Sequence, residues 1–116
     1  MMHVTEAAKQ LSLAIQESPE YRDFAARQEE IRDDAGIMAL VREYKRLQAA
    51  VQMRMLAGHV EADEDAQRFQ QLSSLLFADQ RTAGYLMAEM RLQKMMSEIF
   101  ESLMAASGME ITLPGQ

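Results

Sequence analysis

The chain has 116 residues, 48% hydrophobic and 26% charged, with 11 methionines and no cysteine or tryptophan. That length suits one domain with enough apolar content for a core, and the missing cysteine excludes disulfides, iron–sulfur clusters and thiol nucleophiles. A net charge of -6 disfavours binding to bulk nucleic acid.

No apolar run reaches the roughly 18 residues of a membrane span. The opening MMHVTEAAKQ has no basic segment leading into an apolar stretch. No membrane partner and no secretory signal are therefore expected.

Proline occurs only at positions 19 and 114, so the long span between contains no obligatory helix breaker. It is rich in Ala, Leu, Met, Gln, Glu and Arg, and no stretch alternates apolar and polar residues over a strand's length. The expected fold is all-α: helical hairpins or a bundle of about five helices in one domain over 1–108. Residues 109–116 form a tail without periodic pattern, expected to lack order.

In chain order, Val4, Ala8, Leu11 and Ile15 mark one stripe of a first helix, from about Val4 to Glu17. Ser18 and Pro19 then supply an N-cap and a first helical residue. A turn between two antiparallel helices is expected there. Tyr21, Phe24, Gln28 and Ile31 carry the second helix, which weakens at Arg32-Asp33-Asp34.

The third helix, from about Asp34 to Ala57, presents Ile37, Leu40, Val41, Tyr44, Leu47, Val51 and Met55, with Gly58 as a left-handed stop. A fourth begins at Ala62 or Asp63 and carries Ala66, Phe69, Leu72, Leu75 and Leu76. Asp79 caps a long fifth, running to about Ala106 and closed by Gly108.

That last helix bears two apolar stripes. Ala83, Leu86, Met87, Met90 and Met104 form one, expected to dock on the third helix. Tyr85, Leu92, Met96, Ile99 and Leu103 form the other. Two stripes imply two neighbours, so the second is expected to be the interface of a homodimer or a higher even-numbered oligomer. The adjacent Met95 and Met96 cannot both face one direction.

No site for chemistry emerges. His59, Glu61, Asp63 and Asp65 crowd a predicted loop without converging ligands, so no metal is expected. No Glu-x-x-His pair is present to build a di-iron site. No serine has a neighbouring histidine base, and the five glycines are isolated. Neither an enzyme nor a cofactor is expected.

The charge is unevenly distributed. Residues 42–60 carry one acid, Glu43, against Arg42, Lys45, Arg46 and Arg54, while residues 61–65 read EADED. The basic stripe is the candidate partner surface, and the alternative reading makes it an RNA contact. Tyr44 faces the core by spacing, so no stacking platform accompanies the charge.

The order AAKQLSLAIQESPEYRDFAARQEEIRDDAGIMALVREYKRLQ (7–48), then LSSLLFADQRTAGYLMAEMRLQKMMSEIF (72–100), resembles the YlbF/YmcA family of small helical bacterial proteins, in particular its YheA-like branch. The resemblance covers about residues 4–104. It implies a cytoplasmic, oligomeric, non-catalytic protein, a regulatory adaptor that works on other regulatory proteins. Some members act on an RNA-processing endoribonuclease and carry a cysteine-rich extension associated with iron–sulfur binding. This chain has no cysteine, so that cluster and its complex do not carry over.

Overall fold

A computed structural model describes residues 3–59 and 63–108. Five helices fill them: α1 (Val4–Glu17), α2 (Pro19–Ile31), α3 (Ala35–Leu56), α4 (Glu64–Ala78) and α5 (Gln80–Ser107). No strand occurs among the described residues. The expected tail at 109–116 lies outside them.

Local chemistry fixes the helix ends. The Ser18, Asp34, Asp63 and Asp79 side chains accept hydrogen bonds from the backbone N–H groups of Tyr21, Ile37, Ala66 and Arg81, donors that a helix start leaves unpaired. Gly58 and Gly108 close α3 and α5 at φ 86° and 70°, where a side chain would be strained.

α2 packs on α5, α3 packs on α4, α4 reaches α5, and α1 touches α2 lightly. The first of these pairings corrects an expectation: α5 docks chiefly on α2, not on α3. At Ser18 the chain is extended (φ -68°, ψ 150°), yet it does not double back. Arg27 lies on Gly84, Asp23 pairs with Arg91, and Leu11 lines a hollow with Met95, Ile99 and Leu103. Contacts thus advance along α5 as α2 and α1 are read backwards. The two short helices follow one long one in succession, and the expected antiparallel α1–α2 turn is a kink. One extended residue redirects an axis but is too short to reverse it.

The buried apolar residues are Ile31, Val41, Tyr44, Leu47, Leu76, Tyr85, Leu86 and Ala88. All fall in 31–47 and 76–88, where α2, α3, α4 and α5 meet. Phe24 stands 5.5 Å from the Tyr85 ring, and Phe69 stacks on Tyr44 at 5.1 Å. The Thr82 hydroxyl, 1% exposed, donates to the carbonyls of Leu76 and Asp79 and pins the α4–α5 corner.

Beyond this centre the molecule runs out into two arms, each two helices thick. One is α1 beside the C-terminal half of α5; the other is the far half of the α3–α4 hairpin. The extents of 55 × 37 × 17 Å match this flat form, since the short dimension holds only two helix layers at about 10 Å spacing. Two-helix arms cannot enclose apolar side chains on all sides. Met53, Met55 and Leu56 stand exposed on one arm, Val4, Met96 and Leu103 on the other.

Candidate interaction surfaces

The four cations of the candidate partner surface lie along α3 but are not equally available. Lys45 turns inward: its Nζ donates to Glu89 Oε2 at 2.6 Å and to the Tyr85 hydroxyl at 3.1 Å, and it sits 5.3 Å from the Tyr85 ring centroid. Burial pulls the Lys45 pKa down, while the bonds to Glu89 and Tyr85 raise it by more, leaving it above the ordinary lysine value. Burial is also the main reason the Tyr85 phenol is pushed up. Both groups keep their protons at neutral pH.

Arg46 is bound through two nitrogens to Glu43 at 2.7 and 3.0 Å, and that bond holds the Glu43 carboxyl below its ordinary range. Arg54 pairs with Asp63 and Asp65 across the α3–α4 connection. Arg42 is exposed. The helix-face arithmetic suggested four cations; three of them are already matched to carboxylates of the same chain. No sequence signal flags Glu89, which stands 44 residues from Lys45, whereas Asp63 and Asp65 were visible as an acidic turn.

His59 follows the end of α3, its N–H donating to the Arg54 carbonyl at 2.8 Å. Glu61 lies outside the described residues, and Asp63 and Asp65 face Arg54. Among the described residues no group of three His, Asp or Glu side chains stands close enough to hold a metal ion.

Each stripe of α5 is split between the chain's own core and the surface: Leu86 of the first and Tyr85 of the second are both 3% exposed. Tyr85, 3% exposed, belongs to the chain's own core against Phe24 and Lys45, so it leaves the expected oligomer seam. Met87 and Met90, expected to dock on the third helix, are 49% and 61% exposed. Helical period gives two faces but not which one the rest of the chain takes. The remaining seam residues are open or partly so: Leu92 and Ile99 half-buried, Met96 and Leu103 exposed. They border the hollow shared with Leu11.

This is a small all-α scaffold whose distinctive features are uncovered apolar arms and internally neutralised cations. The chain belongs to the YlbF/YmcA family: the family profile described as "Control of competence regulator ComK, YlbF/YmcA" matches residues 4–106. It is 32% identical to a UPF0342 protein of Desulfitobacterium hafniense over 84% of this chain and 79% of that protein. It is 28% identical to a UPF0342 protein of Symbiobacterium thermophilum over 92% of this chain and 94% of that one. A UPF0342 protein of Streptococcus pyogenes shares 29% identity over 83% of this chain. The family description concerns control of a competence regulator. No solved structure matches the chain. Among the described residues, no helix is long and apolar enough to cross a membrane.

Proposed function

We propose that this protein is a non-enzymatic regulatory adaptor that works by protein–protein contact, with the tip of the α3–α4 arm as a partner-binding surface. The observation that carries the reading is the exposure of three large apolar side chains around the last turn of α3, Met53, Met55 and Leu56, each more than 60% exposed. Unbranched thioether side chains adapt to varied apolar partners, and exposed apolar side chains concentrated at one helix end suit such a contact. The family's regulatory description supports the same reading.

The RNA-binding alternative draws less support. Lys45, Arg46 and Arg54 would each have to leave a carboxylate partner before meeting a phosphate.

The test is quantitative capture of proteins and nucleic acid from the native cell extract on immobilised protein, compared with a Met53→Glu, Met55→Glu variant. Specific proteins retained by the native chain and lost with the variant support the adaptor reading. Retained RNA that falls away steeply with salt, unaffected by the variant, would replace it with the alternative.

A further inference from the structure

We infer that the hollow between α3 and α4 receives the apolar face of an acidic amphipathic helix from a partner protein, with Arg68 holding a carboxylate of that helix. The inference shares with the adaptor reading only the expectation of a protein partner. Its site is separate from Met53, Met55 and Leu56 and is tested separately.

The hollow has an apolar centre and a polar edge. Its volume is about 230 Å³, and it is lined by Leu40 and Glu43 of α3 and by Arg68, Gln71, Leu72 and Leu75 of α4. Leu72 is half-buried and packs inward against the core, while Leu40 and Leu75 are 38% and 57% exposed. Residues 68, 72 and 75 follow one another at four and three residues, so they share one side of α4. Small-molecule pockets enclose about 300–1,000 Å³. This smaller hollow suits an apolar side chain projected by a partner helix, as when an amphipathic helix lies in a groove.

The surrounding charge indicates what that helix carries. Residues 39–47 and 67–78, which flank the hollow, hold Arg42, Lys45, Arg46 and Arg68 against one acid, Glu43. Lys45 is taken by Glu89, which leaves these stretches at net +2 in a chain whose total is -6. Glu43 is shared. Arg46 binds both of its oxygens, at 2.7 and 3.0 Å, and Arg68 approaches Oε1 only to 3.6 Å. That distance is too long for a hydrogen bond, so the Arg68 guanidinium keeps its donors for another carboxylate. Glu43 is its ion-pair partner among the described residues; Glu64, one turn back on α4, forms no such pair with it.

Other occupants match less of this. Two copies of the face brought together about a two-fold axis would set like charges against each other. RNA would find no aromatic side chain in the hollow on which to stack a base. An acidic helix satisfies both halves. Its apolar side chain enters beside Leu40 and Leu75, and a glutamate or aspartate one turn along pairs with Arg68.

Fluorescence anisotropy tests this with two synthetic helical peptides that share leucines at intervals of three and four residues, one flanked by glutamates and one by lysines. A uridine oligonucleotide is the third probe. The glutamate peptide should bind the native protein about tenfold or more tightly than either other probe. Leu75→Glu should weaken it by about the same factor, and Arg68→Glu should shift the preference toward the lysine peptide. Circular dichroism should stay helical, because both side chains are exposed. Met53→Glu with Met55→Glu should leave this affinity unchanged, even if it loses every partner of the adaptor tip.

Equal binding of the two peptides, tighter binding of the oligonucleotide, or no binding at all overturns the inference. So does glutamate-peptide binding that survives Leu75→Glu, or that is abolished by M53E/M55E. If Leu75→Glu unfolds the protein, Gln71→Glu supplies a second measurement at the exposed edge of the hollow. Weaker binding of the glutamate peptide alone supports the site, and unchanged binding overturns it.

Discussion

Lys45 of α3 and Glu89 of α5 meet at 2.6 Å across 44 residues of sequence, and the Tyr85 hydroxyl donates to the same carboxylate at 3.1 Å. α3 and α5 also meet in the buried core of Val41, Tyr44, Tyr85 and Leu86, and this three-way junction adds a polar tie between the α3–α4 hairpin and the long helix. Glu89 is the more enclosed partner, its side chain 17% exposed against 40% for Lys45.

Replacing Glu89 with Gln should therefore destabilise the protein by about 1–2 kcal/mol, since it leaves a partly enclosed ammonium without its counter-charge. Lys45→Met should cost at least as much, because it leaves the more enclosed carboxylate with only the Tyr85 hydroxyl. The double variant should lose less than the two singles combined. Urea denaturation followed by circular dichroism measures all three.

The kink at Ser18 gives a second expectation. Its hydroxyl donates to the Ile15 carbonyl at 2.6 Å and accepts from the Tyr21 N–H at 3.2 Å, tying the end of α1 to the start of α2. Ser18→Ala should cost about 1 kcal/mol. Hydrogen exchange should show the loss concentrated at the α1–α2 junction and leave the Tyr44–Tyr85 centre unchanged.

Acid should loosen the α2–α5 pairing. The Arg91 guanidinium, 2.7 Å from Asp23, is the main cause that holds the Asp23 carboxyl below its ordinary 3.8. A carboxyl depressed on folding contributes stability that is present above its unfolded value and lost as pH falls through its folded value. Stability should accordingly be insensitive to this pair from neutral pH down to about 3.8 and decline below it. Arg91→Met should flatten that part of the decline in an acid denaturation series. Because the pair is exposed, added salt should weaken it as well.

Gly84 gives the opposite sign. A Cβ added there would stand 3.0 Å from the Arg27 Nη1 atom, the mobile end of a side chain that is 41% exposed. Moving that guanidinium a few tenths of an ångström is cheap, while glycine inside a helix costs about 1 kcal/mol relative to alanine. Gly84→Ala should raise the thermal midpoint. Gly84→Leu, which must push Arg27 away entirely and disturb the α2–α5 contact, should lower it.

Almost every helix end was legible in the sequence. Ser18-Pro19, Asp34, Asp63 and Asp79 start helices, and Gly58 and Gly108 stop them, because capping is a bargain struck within three or four residues. The family, too, was legible from the order of these signals. Which neighbour each helix face meets was not. The spacing of Tyr85, Leu92, Met96, Ile99 and Leu103 fixes one line on α5, but only packing decides that its first member lies inside the chain and its last members lie open. The same holds for charge: Arg42, Lys45, Arg46 and Arg54 read as a basic stripe until Glu89, Asp63 and Asp65 are brought to three short distances by the fold. Sequence determines what a helix offers; tertiary structure decides what accepts it, because the partners stand up to 68 residues away and periodicity carries no information across that gap.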